Sequence, residues 1–507
     1  MRSTPLSIAT RCLLAIACAS IANIAFARQG EPPYSLRHRV VLSAPPITDV
    51  APIDAAERRA HEDARRAAKI GPSDKRLAVA IDNAVSIDPF RDGAWTLLAD
   101  GSRLWRLQVR AAGATDLRLG FAHFALPRGA TLYVLGADEY YQGPYTAADE
   151  GPGGFRSSVV PGDTATIELR VPPGIALHPD ALELTHVGAG FRDRFGRIKA
   201  IAGSGPGTSG ECNVNVACPL GNPYPNEIRA VGYYEYQADD DDQYYICSGT
   251  LLADVPRDRR SYFLTAAHCL TSSTETSSMV VYWNYQSTQC ASLSPPAGGY
   301  LNDDQHGAVL RARRADADFA LVELTGVPDD AWHVYYAGWD ASGTAPFGTI
   351  GIHHPSGDVK KITAGPAPST TDNCIGSGGS SMNTHWWTGP YSQGTTEGGS
   401  SGSGLFVESG NGGGHDRLLI GTLSGGYAAC SVSDPSDPDD ENDCYGKLAV
   451  GWNGTSASSR LRDWLDPAHT GALIQQGIDS TDSPPPPTNV RGHSRHARPQ
   501  MGVPHAE

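Results

Sequence analysis

The stretch GGSSGSG at residues 398–404, followed by Leu405 and Phe406, contains the residues that decide the fold. Small residues on both sides of a serine let backbone amides approach a reacting carbonyl, which an acyl-transfer enzyme needs in its oxyanion hole. The same composition is also typical of a flexible surface turn. The position of a histidine and a carboxylate elsewhere in the chain therefore decides between the two interpretations.

The chain has 507 residues and a formal net charge of −15. Its length predicts about two or three domains, because a typical domain has about 100 to 200 residues. The acidic charge argues against nucleic acid as a partner, since nothing would offset repulsion by the phosphates. An acidic surface instead suits an exported protein that attracts basic ligands.

The first residues have the pattern of an export signal. A positively charged start is followed by apolar residues 12–22 and by a small-x-small cleavage site at residues 25–27. The apolar run is shorter than the roughly 20 residues of a membrane span, and too little apolar sequence precedes Cys18 for a lipoprotein. We therefore expect a signal peptide at residues 1–27, a secreted, extracellular protein and no membrane association.

Eight cysteines remain after the signal, all in the second part of the chain: Cys212, Cys218, Cys247, Cys269, Cys290, Cys374, Cys430 and Cys444. An even number in an exported protein predicts disulfides, although the spacing alone allows on the order of 100 pairings. A zinc site is the alternative, but no close cysteine pair is matched by a second pair at finger spacing. We expect neither a metal nor another cofactor.

The region after the signal is predicted to be mainly β. An amphipathic helix is expected at residues 55–69. Short strands with a hydropathy period of two follow at residues 104–109, 117–124, 131–135 and 164–171, and they predict a small antiparallel sandwich. Because this cysteine-free region precedes a cysteine-rich one, we interpret residues 28–199 as a propeptide. An accessory binding domain is the alternative interpretation.

A basic cluster at residues 192–199 gives way to glycine, serine and proline, which is typical of an exposed, cleavable linker. Beyond it, short β-rich segments with glycine turns predict an all-β domain at residues 200–479, either a sandwich or a barrel. The tail at residues 480–507 contains four consecutive prolines and a polar end. It is therefore expected to be disordered.

A histidine and a carboxylate precede the serine stretch. His268 stands in the segment LTAAHC, directly after a β segment, which predicts a rigid support. Asp318 opens an apolar strand, and buried carboxylates are rare unless they are paired. The candidate reactive residues thus occur in the chain order His268, Asp318, Ser401.

These segments resemble the chymotrypsin-like serine proteases and, among them, the secreted bacterial lysyl endopeptidase family. The resemblance covers residues 212–479 and includes AVG at 230–232, VYWNY at 281–285, GWD at 338–340, IHHP at 352–355 and RDWL at 462–465. It implies an all-β, two-barrel chymotrypsin-like protease domain, preceded here by the mainly β propeptide domain. It also implies a secreted serine endopeptidase that hydrolyses peptide bonds after basic residues.

Position by position, the resemblance implies that Ser401 is the nucleophile, His268 the general base and then acid, and Asp318 the group that orients the imidazole. The backbone amides of Gly399 and Ser401 would form the oxyanion hole. One alternative is an inactive binding or adhesion protein on the same scaffold. Another is an esterase with Ser400 at a nucleophile elbow, but that fold has its histidine last in the chain.

The resemblance places Asp443 in the primary pocket, where its carboxylate would pair with a cationic substrate side chain. The alternative is that Asp443 is one more acid beside the acidic loop at residues 434–441. Ser424 stands where the lysyl endopeptidase pattern has a histidine, and Cys374 or Ile375 stands where it has a tryptophan. These departures predict that a preference for lysine broadens to arginine.

Chymotrypsin-type zymogens have an aspartate at the position of Ser400, which pairs with the new amino terminus. With serine this ion pair cannot form, so we expect activation by removal of the amino-terminal domain, which acts as folding aid and inhibitor. Lys199 is the predicted self-processing residue. The expected partners are protein or peptide substrates with basic residues and the protein's own propeptide, and the enzyme is expected to be a monomer.

The resemblance also implies three disulfides, which are Cys212–Cys430, Cys218–Cys290 and Cys247–Cys269. Cys374 is then left to join Cys444. This additional bridge would hold the pocket segment beside Asp443.

Overall fold

The structure of the chain is a computed structural model. The described residues are 31–38, 42–67, 73–195, 208–290, 301–375, 383–409, 417–430 and 442–482. The predicted signal peptide, Lys199, the acidic loop at 434–441 and the tail beyond residue 482 lie outside these ranges. No helix within these ranges is both long and apolar enough to cross a bilayer.

The amino-terminal domain is a β-sandwich with two helices, α1 (Tyr34–His38) and α2 (Ala55–Ala67). Its strands are β1 (Ile47–Asp49), β2 (Ser73–Asp74), β3 (Leu77–Ile87), β4 (Ala94–Leu97), β5 (Arg103–Arg110), β6 (Asp116–Phe124), β7 (Thr131–Leu135), β8 (Tyr141–Tyr145), β9 (Phe155–Arg156), β10 (Val160–Pro161), β11 (Thr164–Val171) and β12 (Leu182–Gly190). One sheet has the order β1–β5–β11–β7–β8, and the other includes β10, β6, β12 and β3. Trp105, Leu119 and Ile167 are buried in the core between them. The four segments that have a hydropathy period of two are strands β5, β6, β7 and β11 in the structure.

The carboxyl-terminal domain contains the helices α3 (Pro225–Ala230), α4 (Ser273–Ser277), α5 (Leu448–Trp452) and α6 (Arg462–Leu465). Its strands are β13 (Val214–Asn215), β14 (Val231–Gln237), β15 (Gln243–Leu252), β16 (Tyr262–Thr265), β17 (Val280–Trp283), β18 (Asp303–His306), β19 (Ala308–Arg314), β20 (Phe319–Leu324), β21 (Tyr335–Tyr336), β22 (Trp339–Asp340), β23 (Gly348–His353), β24 (Lys361–Pro366), β25 (Ser369–Thr371), β26 (His385–Thr388), β27 (Gly404–Val407), β28 (Leu419–Gly426), β29 (Asp443–Lys447), β30 (Ile474–Gln475) and β31 (Ile478–Asp479).

These strands form two barrel-shaped sheets. The first contains β15–β14–β17–β18 together with β16, β19 and β20, and the second has the order β13–β24–β23–β27–β28–β29–β26–β25. Leu264 and Leu321 of the first sheet share one buried cluster with Phe406 and Leu419 of the second. Burial of this apolar surface packs the two sheets together. The predicted fold class, an all-β two-barrel domain after a mainly β amino-terminal domain, is confirmed.

Strand β3 joins the two domains. It pairs with β12 on one side and with β15 of the first barrel on the other, where Leu77 faces Ile246 and Ile81 faces Gln243. Just before it, β2 pairs with the end of β28 in the second barrel, so that Asp74 faces Gly425. The chain between β2 and β3 is therefore held at the cleft between the barrels.

Candidate active site

Three short segments bring His268, Asp318 and Ser401 together. His268 follows β16, and Asp318 directly precedes β20. Because β16 and β20 are antiparallel neighbours with Thr265 opposite Ala320, the two residues lie side by side. Ser401 comes from the turn before β27 in the other barrel. The three side chains meet in the cleft between the barrels.

The distances within this group suit proton transfer. His268 Nε2 lies 2.7 Å from Ser401 Oγ, and His268 Nδ1 lies 2.8 Å from Asp318 Oδ2. The backbone amide of His268 donates to Asp318 Oδ1 at 3.0 Å. Burial lowers the pKa of His268, but the adjacent Asp318 carboxylate more than offsets this, so the pKa is raised. The imidazole can therefore accept the serine proton and hold it as a stabilised cation.

The loop that carries His268 is held from two sides. A disulfide joins Cys247 to Cys269, the next residue in the chain. Arg313 Nε donates to the carbonyl oxygens of Ala267 at 3.2 Å and Leu270 at 2.9 Å. The role of Arg313 is not predictable from the sequence, because an arginine on a strand has no local signal for it.

The turn at residues 398–404 directs two backbone amides towards one point. The amides of Gly399 and Ser401 both donate to the carbonyl oxygen of Lys75, the second at 3.4 Å. Gly399 has φ +97° and Gly402 has φ +80°, which glycine adopts without strain. The backbone of Ser401 is fixed further, because its carbonyl accepts from the Ser248 amide at 2.8 Å. Two amides converging on one carbonyl oxygen have the geometry of an oxyanion hole.

The residues around the fully buried Asp443 carboxylate form the candidate pocket. Asp443 Oδ2 accepts from Thr396 Oγ1 at 2.6 Å and from the Tyr391 hydroxyl at 3.0 Å. Its Oδ1 lies 2.7 Å from the ammonium of Lys75, which also donates to the Ala428 carbonyl at 2.8 Å and to Thr396. Burial lowers the pKa of Lys75, and the Asp443 carboxylate opposes this shift. The pocket thus binds a lysine side chain of the chain itself.

Ser400 and Ser401 have different surroundings. Ser400 Oγ lies 2.8 Å from His353 Nδ1 and accepts from the Glu397 amide at 3.1 Å. Burial lowers the pKa of His353 to about 3, so this histidine is neutral. Ser400 therefore bonds to His353, whereas Ser401 bonds to the His268–Asp318 pair.

Ser424 contacts a histidine that the sequence analysis did not single out. Its Oγ lies 3.0 Å from His385 Nε2, on β26. Burial lowers the pKa of His385 to about 4. The contact puts a neutral imidazole near the strand end that carries Ser424. β29 lies between β28 and β26 in the sheet. A side-chain contact across an intervening strand has no signal in the sequence of either segment.

The disulfides of the structure are Cys212–Cys430, Cys218–Cys290, Cys247–Cys269 and Cys374–Cys444. The last of them ties the loop before β26 to the residue that follows Asp443. Disulfides of this number indicate an oxidising compartment outside the cytoplasm. Among the described residues, no group of three or more His, Cys, Asp or Glu side chains could hold a metal ion.

Both halves of the chain match known protein families. The family described as "Lysyl endopeptidase, C-terminal domain" matches residues 206–446, and "Lysyl endopeptidase N-terminal domain" matches residues 42–187. A lysyl endopeptidase from Pseudomonas aeruginosa is 30% identical over 357 residues, which are 67% of this chain and 72% of that protein.

Solved protease structures are also similar in part. An HtrA-type protease with a tripeptide has a TM-score of 0.30 and 16% identity, over 46% of this chain and 62% of that one. A protease from M. tuberculosis in its active form has a TM-score of 0.29 and 12% identity, over 48% and 88%. The family matches cover both domains, and the match with the Pseudomonas aeruginosa relative covers 72% of that protein. The chain therefore belongs to the lysyl endopeptidase family of serine endopeptidases.

Proposed function

We propose that this protein is a secreted endopeptidase that hydrolyses peptide bonds on the carboxyl side of lysine. One observation carries the proposal: the side chain of Lys75 fills the Asp443 pocket while its carbonyl oxygen accepts from the amides of Gly399 and Ser401. A substrate lysine bound in the same way would have its carbonyl beside Ser401 Oγ. Asp443, which binds the side chain, and Ser401, which attacks the carbonyl, would therefore act on the same residue of the substrate.

In the proposed mechanism, Ser401 Oγ attacks the carbonyl carbon and passes its proton to His268 Nε2. The amides of Gly399 and Ser401 stabilise the negative charge on the carbonyl oxygen. His268 then donates the proton to the leaving amine and an acyl-enzyme forms. Water hydrolyses the acyl-enzyme with His268 again as the base. Asp318 keeps the imidazole oriented and stabilises its positive charge throughout.

The contacts of the pocket favour lysine over arginine. An ammonium has three donors, and the acceptors around Lys75 Nζ are Asp443, Ala428 and Thr396. Arginine is longer and carries its donors in a planar fork. It would have to displace Asp443, which is fully buried and bonded to Thr396 and Tyr391. We therefore infer a stronger preference for lysine than the replacements at Ser424 and Cys374 suggest.

Two peptides that differ only in lysine or arginine at one position test this proposal on the processed enzyme. We expect kcat/KM for the lysine peptide to exceed that for the arginine peptide by at least about tenfold, because one pocket discriminates by about this factor or more.

Ser401→Ala should lower kcat by roughly a millionfold. Asp443→Asn should lower kcat/KM for the lysine peptide by at least about 100-fold, since a buried cation loses its partner.

Asp330→Asn is the matched control, because Asp330 pairs with Arg259 on the surface and its side chain is 65% exposed. This variant should leave kcat/KM for both peptides unchanged. Equal cleavage after lysine and arginine, or full activity of Ser401→Ala, would contradict the proposal.

A further inference from the structure

Residues 73–76 of the amino-terminal domain lie in the catalytic cleft as an extended peptide. Ser73 and Asp74 pair antiparallel with Gly426 and Gly425 at the end of β28. This places a short added strand on the edge of the second barrel. Addition of a strand to a sheet edge is a common way in which proteins bind peptides.

Lys75, the next residue, makes the pocket and oxyanion-hole contacts that the proposed mechanism assigns to a substrate lysine. Its ammonium binds Asp443, and its carbonyl oxygen accepts from the amides of Gly399 and Ser401. Its own amide donates to Ser401 Oγ at 2.8 Å, so the nucleophile lies next to this residue. His268 Nε2 lies 2.7 Å from the same oxygen atom.

The residue after the bond is fixed as well. The carbonyl oxygen of Arg76 accepts from Arg66 on α2, and the Arg76 guanidinium lies 4.7 Å from the ring centre of Tyr245. Leu77 then begins β3, which is held between β12 and β15. The peptide bond between Lys75 and Arg76 is thus held on both sides while its carbonyl points into the oxyanion hole.

Burial of Lys75 also argues against incidental packing. The residue is only 4% exposed, and a buried cation is costly unless it is paired and hydrogen-bonded. Its partner Asp443 is 368 residues away in the chain and lies on β29 of the second barrel. Arg76, directly beside Lys75, keeps its guanidinium outside this pocket. The pocket therefore holds one specific lysine of the amino-terminal domain.

We propose that the Lys75–Arg76 peptide bond is a self-cleavage site of the precursor, an inference that rests on the function proposed above. Ser401 Oγ forms an ester with the carbonyl carbon of Lys75, and the bond from that carbon to the nitrogen of Arg76 breaks. The Ser401 proton passes through His268 to the Arg76 nitrogen, which becomes a free amine. Water then hydrolyses the ester, which releases the Lys75 carboxylate and regenerates Ser401.

The fold determines what happens to the two new ends. Arg76 becomes an amino terminus just before β3 and stays beside the sheet, whereas the Lys75 end is held by the β2–β28 pairing and by its pocket contacts. This end can leave the cleft while the sandwich remains bound through β3. Cleavage at Lys75 therefore opens the cleft to other substrates before the domain is released, and Lys199 remains the predicted release site.

The test follows new amino termini in the purified full-length chain by mass spectrometry over time. We expect a terminus at Arg76 that forms at a rate independent of protein concentration, because the bond and the nucleophile belong to one molecule. Ser401→Ala should leave the bond intact. Lys75→Gln should slow formation of this terminus at least about 100-fold. Lys69→Gln, which removes the same charge six positions upstream, should not change the rate.

If Lys75→Gln fails to fold, formation of the Arg76 terminus in the wild-type chain still tests the proposal. An intact Lys75–Arg76 bond in an enzyme that hydrolyses added lysine peptides would overturn this inference and leave the proposed function in place. A rate that rises with protein concentration would overturn it too, since cleavage would then occur between molecules. A folded chain that cleaves neither itself nor lysine peptides would instead overturn the proposed function.

Discussion

At the scale of single residues, the cleft contains two buried carboxylates with different partners. Asp318 accepts from the imidazole and the backbone amide of His268. Asp443 faces the Lys75 ammonium and accepts from two hydroxyl groups. Both side chains are fully buried, so each negative charge depends on its own partners rather than on water. In the proposed mechanism, Asp318 supports the base and Asp443 selects the substrate side chain.

The raised pKa of His268 predicts the pH dependence of the processed enzyme. The proposed mechanism requires neutral His268, and the imidazole becomes protonated as the pH falls. Because Asp318 raises this pKa above 6.5 despite burial, activity should begin to fall at a pH above 6.5. A profile of kcat/KM against pH measures this. An acidic limb at or below pH 6.5 would contradict the assignment of Asp318.

Asp318→Asn provides the matched comparison in the same profile. The amide removes the negative charge while burial remains, so the acidic limb should move to lower pH. The maximum of kcat should fall by roughly 10⁴-fold, because the imidazole loses its orientation and its charge partner. An unchanged limb in this variant would show that another group controls the titration.

At the scale of elements, the turn between residues 398 and 404 is held by packing as well as by its glycines. Gly402 donates its amide to the Leu423 carbonyl at 2.8 Å and lies against β15 and β16. A Cβ atom at Gly402 would overlap Thr265 Oγ1 and lie 2.5 Å from the Ser248 carbonyl oxygen. The position of Ser401 therefore depends on the contact between this turn and the first barrel.

Gly402→Ala should disturb both stability and catalysis. A left-handed alanine costs about 1–2 kcal/mol, and the overlap with Thr265 adds to this, so we expect a loss of at least about 2 kcal/mol. A shift of Ser401 by about 1 Å should lower kcat about 100-fold. Urea unfolding of the Ser401→Ala chain, which cannot digest itself, measures the stability term, and kcat is measured on the active chain.

Gly326→Ala is the control that separates the cost of a left-handed alanine from the cost of the overlap at Gly402. Gly326 has φ +79°, but a Cβ atom there meets no other atom within 4 Å. We expect a loss of about 1 kcal/mol and unchanged kcat. Equal losses of stability in the two variants would refute the role given to the packing of Gly402.

At the scale of the whole molecule, a buried ionic cluster joins the two domains. Arg194 of the amino-terminal domain lies 2.8 Å from Asp116 of the same domain and 2.8 Å from Glu235 on β14. Arg118 also lies 3.4 Å from Glu235. All four side chains are at most 4% exposed. Loss of one partner from such a cluster is costly, because an uncompensated charge stays buried.

Glu235→Gln should destabilise the joined domains in a pH-dependent way. At pH 7 we expect a loss of about 3–5 kcal/mol in the Ser401→Ala precursor. Burial raises the pKa of Glu235, but Arg194 and Arg118 more than offset this, so the pKa is lowered. A carboxylate of this kind stabilises the fold above its unfolded pKa of 4.5 and loses the effect as the pH falls further. The difference from the parent should therefore shrink below pH 4.5.

Unfolding curves of the two precursors at several pH values measure this difference. Asp330→Asn, which removes a surface charge, should change stability by less than about 1 kcal/mol at every pH. A difference between Glu235→Gln and its parent that stays constant from pH 7 to below pH 4.5 would rule out the charge of Glu235 as its cause.

The sequence by itself predicted the all-β class and the three residues His268, Asp318 and Ser401 that the structure brings together. Each of them stands in a short segment with its own local pattern: a histidine after a strand, an aspartate that opens an apolar strand, and a serine among glycines. Such patterns are set by neighbouring residues, so they are readable without the fold. The cysteine pairs were predicted through the family resemblance, because spacing alone leaves the pairing open.

Only the tertiary structure decided that Lys75 occupies the pocket. The Lys75–Asp443 contact spans 368 residues, and Lys75 lies in a charged segment of ordinary composition. Its position follows from the pairing of β3 with β15 and of β2 with β28. Strand pairing between distant segments is set by burial of the whole sheet rather than by local residue types. The contact between the amino-terminal domain and Ser401 therefore depends on a strand register that no single segment encodes.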